Sequence, residues 1–151
     1  MQRRSLLTGL FALFGTRAYA VSGSFEIMRT EAEWRAMLTD VEYAVMREEE
    51  TETPYSSTLN KETRKGLYHC KGCSLSVYSS AHKYDSGTGW PSFTESLADA
   101  VGTKPDNTLF TRRTEVHCRR CGSHFGHIFD DGPQPTGKRH CLNGVSLTFD
   151  A

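Results

Sequence analysis

Two pairs of cysteines constrain the fold of this 151-residue chain more than any other feature of its sequence. Cys70 and Cys73 form one CxxC pair, and Cys118 and Cys121 form the other. Each pair presents two thiolates at the tip of a tight turn, so the two pairs together predict one closed zinc site with four sulfur ligands. Because residues 74–117 separate the pairs, the metal would join distant segments of a larger domain rather than fold a compact zinc finger.

Disulfides within or between the pairs are the alternative in an exported protein. CxxC disulfides are usually strained redox centres, and neither pair has the strand-to-helix context of a thioredoxin motif. The pattern therefore favours zinc. Since four thiolates leave no coordination position for water, we expect one structural Zn²⁺ that stabilises the fold rather than a catalytic ion.

Residues 1–20 differ from the rest of the chain and predict an export signal peptide. The pair Arg3-Arg4 precedes the short apolar run Leu6–Phe14, and Ala18-Tyr19-Ala20 is a small-x-small cleavage pattern. A buried helix or a membrane anchor is the alternative, but the apolar run is too short to span a bilayer. The arginine pair also resembles a twin-arginine signal. We expect a mature domain over residues 21–151 that is exported to the bacterial periplasm.

The charge balance argues against one class of partner. Lys+Arg and Asp+Glu number 18 each, so the chain has no net charge that would attract it to nucleic acid or to an anionic membrane. The sequence of residues 21–151 contains no apolar stretch long enough for a membrane span. We therefore expect no nucleic-acid partner and no stable membrane insertion of the mature chain.

The mature region predicts one short helix followed by strands. Thr30 and Glu33 have the form of a capping box, and Trp34, Met37 and Leu38 then recur at helical spacing, which predicts a helix over residues 30–39. Polar residues dominate positions 47–65 and predict a long surface connection that carries no functional site.

From Gly66 onward, short runs with alternating apolar residues predict β-strands. These runs lie at 75–78, 108–110, 116–118 and 145–149. Clusters of glycine and proline, which favour loops and antiparallel pairing, lie between them at 87–91, 102–105 and 132–137. The expected fold class is mainly β, stapled by zinc, with a few short helices.

Cys141 is the cysteine left over, and it is a candidate reactive thiol. Arg139, His140 and Asn143 are its neighbours in sequence, and a cation beside a thiol lowers the thiol pKa. In a strand, Arg139, Cys141 and Asn143 would share one face. An inert buried thiol is the alternative for a single cysteine.

Two further segments carry candidate site residues. His124 and His127 lie three positions apart among aromatic side chains and suit an acid–base pair, although zinc ligation or a plain surface loop would also explain them. Trp90 and Phe93, on a loop rich in glycine and proline, suit the walls of a small apolar pocket, although packing alone would also explain them.

Together these segments resemble the type B family of peptide methionine-R-sulfoxide reductases. The resemblance covers most of the mature chain and is most specific in three motifs, GWPSF at 89–93, HCRRCGSHFGHIF at 117–129 and DGPQPTGKRHCLN at 131–143. It implies two small antiparallel sheets with a few peripheral short helices, and a zinc site on the four paired cysteines. The implied activity is that of a peptide-methionine (R)-S-oxide reductase acting on proteins or peptides that contain methionine sulfoxide.

The resemblance also implies a role for each candidate residue. Cys141 would attack the sulfoxide sulfur and end as a sulfenic acid. His124 and His127 would supply the proton that the sulfoxide oxygen needs to leave. Arg139 would stabilise the thiolate, and Asn143 would orient groups around the reaction centre.

The aromatic residues Trp90 and Phe129 match the wall that contacts the substrate methyl group in that family. Two positions depart from its pattern. Thr88 stands where many members have a resolving cysteine, so turnover would need an external thiol reductant such as a thioredoxin-like protein. Gly144 stands where serine is frequent.

Two other classes of protein share part of the pattern. A zinc-ribbon module that binds a protein without catalysis accounts for the paired cysteines, but it leaves Cys141 and the two histidines without a role. A zinc hydrolase needs an open coordination position, and a four-thiolate site has none.

Overall fold

The computed structural model describes residues 25–108 and 112–151, so the predicted leader and the predicted strand residues Leu109 and Phe110 lie outside the described part. In the described part, two helices, α1 (Glu31–Met37) and α2 (Asp40–Glu48), precede nine strands. The strands are β1 (Leu67–Cys70), β2 (Ser76–Ser79), β3 (Lys83–Tyr84), β4 (Ser92–Phe93), β5 (Val101–Asp106), β6 (Arg113–Cys118), β7 (His124–Phe129), β8 (Arg139–Leu142) and β9 (Leu147–Asp150). Among these residues no helix has the length and apolar character needed to cross a membrane.

Both helices begin at a capping box. Thr30 accepts a hydrogen bond from the Glu33 backbone N–H, and Thr39 accepts one from Glu42, while each glutamate side chain bonds back to the cap residue. The predicted helix at 30–39 is confirmed, although it is shorter than expected. The sequence interpretation missed α2, because the second capping box follows directly on the first helix and two short helices in tandem resemble one helix with a frayed end.

The strands form two antiparallel sheets, as expected. One has three strands in the order β2-β1-β9, and the other has six in the order β3-β4-β8-β7-β6-β5. A single buried cluster takes residues from both sheets and both helices. At its centre Tyr68, Tyr78 and Phe93 are completely buried, with ring centroids 4.9 Å (Tyr68–Phe93) and 4.7 Å (Tyr78–Phe93) apart. Phe93 is thus a core residue, and packing explains it.

Three of the predicted strand and loop assignments were wrong in part. Residues 102–105, expected to be a loop, lie inside β5. Pro105 has no N–H to offer a ladder, but β5 is an edge strand, where proline is tolerated. Val145 and Ser146, expected in a strand, belong to a short 3₁₀ turn, Gly144–Ser146, that precedes β9. Thr108 also lies beyond the end of β5.

Gly126 marks the closest approach of β7 to β8. A Cβ at this position would overlap the carbonyl oxygen of Cys141, and the backbone φ of Gly126 is +153°. Because a backbone atom cannot move aside as a flexible side chain can, only glycine lets these two strands pair here.

We predict that Gly126→Ala lowers the free energy of unfolding by about 3 kcal/mol or more, since overlap with backbone adds to the strain of a positive φ. Gly137→Ala is the matched control, because Gly137 also has a positive φ (+68°) but no atom within 4 Å of its would-be Cβ. The control should lose about 1–2 kcal/mol. Urea unfolding of both variants measures the difference, and equal losses would show that the close approach is unimportant.

Candidate active site and metal centre

The four paired cysteines meet at one point between the sheets. Cys70 ends β1 and Cys118 ends β6, and each strand continues into a turn that carries the second cysteine of its pair. The Sγ atoms of Cys70 and Cys121 are 3.6 Å apart, and those of Cys73 and Cys118 are 3.5 Å apart. All four sulfurs lie within 4.8 Å of one another, and all five cysteines of the chain are free.

This arrangement fits a tetrahedral metal ion. Zinc–sulfur bonds of about 2.3 Å place the sulfurs of a tetrahedron about 3.8 Å apart, close to the separations seen here. The knuckle turn after Cys118 closes through the Gly122 N–H, which donates to the Cys118 carbonyl over 2.9 Å, at a φ of +69° for Gly122. The Ser123 hydroxyl lies 3.2 Å from Cys121 Sγ and can donate to it. The cluster can therefore hold one metal ion with four sulfur ligands.

Two arginines lie over this cluster, Arg47 in α2 and Arg29 in the segment before α1. Arg47 donates to the carbonyl of Cys121 (3.2 Å), and Arg29 donates to that of Gly72 (3.1 Å). Both guanidinium groups stack on Trp34, at 4.6 Å for Arg47 and 4.8 Å for Arg29 from the ring centroid. Both therefore place positive charge beside the negative charge of a thiolate cluster.

Cys141 does not belong to this cluster and lies on β8 in the six-stranded sheet. In the strand register Cys141 pairs with Ser92 of β4 on one side and with His127 of β7 on the other. Its side chain lines a cavity of about 170 Å³. The structure therefore gives the fifth sulfur a different environment from the other four.

Most of the predicted site residues meet at this cavity. Trp90, His127, Phe129 and Asn143 line it together with Cys141. The remaining lining residues, which the sequence interpretation did not select, are Thr51, Arg113 and Gly126. Among the predicted residues, His124 and Arg139 lie outside the lining.

Burial raises the pKa of the Cys141 thiol, which is opposite to the sequence expectation of a lowered value. The Arg139 charge and a contact with Thr88, whose Oγ1 lies 4.0 Å from Cys141 Sγ, oppose the shift without reversing it. The expectation was wrong because it counted the neighbouring cation and not the loss of water around the sulfur.

Arg139 is engaged elsewhere. Its guanidinium donates to both carboxylate oxygens of Asp131, over 2.8 and 2.9 Å, and stacks on the Phe129 ring at 4.4 Å. Asp131 therefore neutralises part of its charge. Arg139 still favours the Cys141 thiolate, and its stacking fixes one wall of the cavity.

His127 faces the cavity with a carboxylate behind it. Its Nε2 lies 2.8 Å from Asp106 Oδ2, and Asp106 also accepts from Arg113 and from Thr108. These bonds hold the pKa of Asp106 well below its usual range, so the carboxylate accepts and His127 Nε2 donates. Burial lowers the pKa of His127, and the Asp106 bond partly offsets this.

His124 is buried behind His127 and, unlike His127, does not line the cavity. Its Nδ1 donates to Glu115 Oε1 over 2.7 Å, and the other Glu115 oxygen accepts from His117 over 2.8 Å. Although burial favours the protonated carboxyl, these two bonds lower the pKa of Glu115 to about 2. The rings of His124 and His127 are 5.5 Å apart, so His124 supports the ring that reaches the cavity. Neither histidine belongs to the metal cluster found in the described residues.

Glu52 is a residue next to the site that the sequence interpretation missed. It lies in the segment expected to be a featureless surface connection, yet it is only 4% exposed. Its backbone N–H donates to Asn143 Oδ1 (2.9 Å), and its carbonyl accepts from Trp90 Nε1 (3.1 Å). A lone glutamate in a polar stretch gives no signal of burial, so sequence patterns alone could not have found it.

The structure accounts for the glycine at position 144. A Cβ there would overlap the Oγ of Ser57, whose side chain fills the adjoining space. Ser57 in turn caps the 3₁₀ turn Thr58–Lys61 by accepting from the Leu59 N–H. A serine at 144 would therefore require Ser57 to move.

Comparisons with known proteins agree with this geometry. The model of the SelR domain family matches residues 38–151. A relative from Methanosarcina mazei is 47% identical over 125 residues, covering 82% of this chain and 89% of the relative. A relative from Leifsonia xyli is 46% identical over 132 residues (86% and 95%), and one from Thiobacillus denitrificans is 47% identical over 122 residues (80% and 92%). Each of these relatives is named peptide methionine sulfoxide reductase MsrB, and the chain belongs to this family, the SelR-domain or MsrB family.

Proposed function

We propose that this protein reduces methionine-R-sulfoxide in proteins and peptides to methionine, with Cys141 as the nucleophile and an external thiol as reductant. One observation carries the proposal. Cys141 shares a cavity with an imidazole, an amide and two aromatic rings, whereas the other four cysteines are assembled on their own. The family membership and the names of the relatives support the same reaction.

The first half-reaction transfers one oxygen atom. The Cys141 thiolate forms a bond to the sulfoxide sulfur, and the S–O bond breaks once the oxygen has gained two protons and leaves as water. Water then adds to the Cys141 sulfur, the new S–S bond breaks with its electron pair going to the methionine sulfur, and one proton is released. The products are methionine and a sulfenic acid on Cys141, so the substrate sulfur is reduced and the cysteine sulfur is oxidised by two electrons. The oxygen resides on Cys141 at the end of this half-reaction.

His127 is the better candidate for the proton donor, because it lines the cavity and His124 does not. With Nε2 donating to Asp106, a second proton can be held at Nδ1, and Asp106 then stabilises the imidazolium. His124 and Glu115 pack behind this ring and restrict its orientation. General acid catalysis of this kind typically contributes about 10²–10⁴-fold.

Chirality at sulfur is read by two unlike walls. Trp90 and Phe129 offer an apolar surface for the substrate methyl group, while His127 and Asn143 offer polar groups for the oxygen. The Asn143 side chain is fixed by two bonds, since its Nδ2 donates to the Phe125 carbonyl over 3.0 Å and its Oδ1 accepts from Glu52. In the S epimer the methyl group and the oxygen exchange positions, so the methyl group would face the polar residues and the oxygen would face the aromatic rings.

The second half-reaction needs two external thiols. Position 88 holds a hydroxyl, and the other four cysteines form the metal cluster, so an incoming thiol condenses with the Cys141 sulfenic acid and releases water. A second thiol then releases Cys141 and leaves a disulfide on the reductant. A dithiol protein of the thioredoxin-like type supplies both thiols.

The metal proposed for the four-cysteine site is a single structural Zn²⁺. When bound it would supply charge neutralisation and a cross-link, and Cys70, Cys73, Cys118 and Cys121 would hold it. A zinc-ribbon binding module is not favoured, because it would give no role to the Cys141 cavity. Export to the periplasm is part of the proposal and rests on the sequence alone. Residues 1–20 are its signal peptide, which resembles the twin-arginine type, and residues 21–151 are the mature reductase domain.

Stereospecific turnover is the first test. With both epimers of a methionine sulfoxide peptide and dithiothreitol, we expect the R epimer alone to be consumed. Cys141→Ser should lower this activity by at least about 10³-fold because the nucleophile is lost. The variant should retain full zinc, measured by metal analysis. Preference for the S epimer, or activity in Cys141→Ser, would refute the proposed reaction.

The pH dependence of Cys141 reactivity is the second test. Because burial raises the thiol pKa, the thiolate fraction and the alkylation rate should both increase as the pH rises through neutrality. Arg139→Gln removes a charge that favours the thiolate, so its profile should shift to higher pH and its rate at pH 7 should fall by about 3- to 10-fold.

The rate is measured by iodoacetamide labelling at residue 141, read by mass spectrometry. Lys138→Gln is the control, because this substitution removes the same charge one position away. Lys138 is exposed and pairs with Asp130. Equal profiles for wild type and Arg139→Gln would show that Arg139 has no electrostatic effect on the thiol.

Metal removal is the third test. Cys121→Ser should lose most of its zinc and lower the thermal midpoint by more than about 10 °C, since structural zinc sites contribute folding free energy directly. Circular dichroism and metal analysis on the same samples measure both effects. A fully folded, zinc-free Cys121→Ser protein would argue against a structural metal.

A further inference from the structure

A buried network connects Glu52 to three parts of the cavity region. The segment that holds Glu52 follows α2 and is distant in sequence from β8. Glu52 Oε1 accepts from the Gly144 N–H (2.7 Å), and Oε2 accepts from the Val145 N–H (2.9 Å). Its backbone bonds reach Asn143 and Trp90, as described above.

The side chain of Glu52 fixes where its own backbone lies. Both carboxylate oxygens are used by the two amides that open the 3₁₀ turn after Cys141, so the carboxylate ties residue 52 to that turn. The backbone of Glu52 is then held where its N–H meets the Asn143 amide and its carbonyl meets the Trp90 indole. Burial raises the pKa of Glu52, while the two N–H donors favour its ionised form. Backbone N–H groups bond an ionised acceptor more strongly than a neutral one, which makes the ionised carboxylate an effective anchor.

We propose that Glu52 is a positioning residue of the active site. Its buried carboxylate sets the amide of Asn143 and the ring of Trp90, which both line the Cys141 cavity. This inference rests on the proposed function, since it assigns Glu52 an effect on sulfoxide reduction. Glu52 itself is not among the cavity residues, so it acts through Asn143 and Trp90.

The proposal differs from a purely structural role. A glutamate that merely capped the turn Gly144–Ser146 would affect stability, and its loss would leave the active site of the remaining folded protein unchanged. A glutamate that positions Asn143 and Trp90 affects the folded enzyme, because a displacement of about 1 Å can cost about 10²-fold in rate. The two roles therefore separate when activity is measured on fully folded protein.

Two variants of graded severity test this. Glu52→Gln has similar shape and keeps one acceptor, but its amide N–H₂ would face a backbone N–H. Glu52→Leu removes both acceptors. At a temperature where each variant is folded and carries full zinc, we expect kcat/KM for the R-sulfoxide peptide to fall by about 10-fold in Glu52→Gln and about 100-fold in Glu52→Leu. If Glu52→Leu fails to fold, Glu52→Gln alone decides the outcome.

Glu50→Gln is the matched control, because it removes the same charge from an exposed residue in the same segment. It should retain the wild-type kcat/KM. Alkylation of Cys141 should also stay close to the wild-type rate in the Glu52 variants, since the thiol and its strand are not altered. A fall in kcat/KM of equal size in Glu50→Gln would refute a specific role for Glu52.

A fluorescence measurement gives a readout that needs no substrate. Trp34 and Trp90 are the two tryptophans of the chain, so in a Trp34→Phe background the emission reports Trp90 alone. Glu52→Leu should lower the anisotropy of Trp90, because the indole loses the carbonyl that holds it. Unchanged anisotropy together with unchanged kcat/KM would overturn the proposal. If the parent protein reduces neither epimer, the proposed function fails, while the anisotropy comparison still decides whether Glu52 sets Trp90.

Discussion

The meeting of two knuckle turns, one from each sheet, is the constraint on which the rest of this structure depends. Cys70 ends a strand of the three-stranded sheet and Cys118 ends a strand of the six-stranded sheet, and their sulfurs share one site. Four thiolates at these separations would repel one another strongly without a cation between them. A metal ion bound between them would replace this repulsion by attraction and would join the two sheets beside the shared aromatic core.

The two β-strands that follow the second knuckle turn carry several of the residues that line the Cys141 cavity. From Cys118 the chain turns directly into β7, which carries His127, and β7 pairs with β8, which carries Cys141. Burial of this cavity shifts the two groups in opposite directions, raising the pKa of the thiol and lowering that of the imidazole. Both groups are therefore favoured in their neutral forms at rest. Transfer of one proton from Cys141 to His127 would create the nucleophile and the acid together, and their mutual attraction would offset part of the desolvation that each suffers alone.

Local features of the sequence predicted the four-cysteine cluster and five of the residues that line the cavity, but not Thr51, Arg113 or Gly126. The CxxC spacing defines its own turn, and Trp90, Cys141 and Asn143 lie in short motifs whose side chains meet as predicted. The properties that the sequence did not predict depend on contacts between distant segments. Glu52 is separated from Asn143 by most of the chain, and no pattern around either residue indicates the bond between them. The raised pKa of Cys141 likewise follows from burial, which sequence neighbours do not reveal.

Which histidine reaches the cavity is a further case where tertiary geometry decides. His124 and His127 are equivalent by spacing, but the register of β6 against β7 shifts between Val116 and His117, and Gly126 takes a φ that only glycine adopts readily. Residues three positions apart in a regular strand lie on opposite faces, so the irregular backbone brings the two rings to within 5.5 Å of each other. One ring then bonds Glu115 in the interior, and the other bonds Asp106 at the cavity.

The position of the loop that carries Thr88 is a second reason to expect that Cys141 needs an external reductant. The carbonyl of Gly89 accepts from the Tyr55 N–H (2.7 Å) and from Asn60 Nδ2 (2.5 Å), and the Tyr55 hydroxyl donates to the Gly87 carbonyl (2.8 Å). The loop is thus tied to its surroundings on both sides of Thr88. A loop held in this way keeps a hydroxyl beside the reactive sulfur, where it can donate to a thiolate but cannot reduce a sulfenic acid. For the proposed reaction, reduction of Cys141 must then come through the same cavity that admits the substrate, so methionine has to leave before the second half-reaction begins.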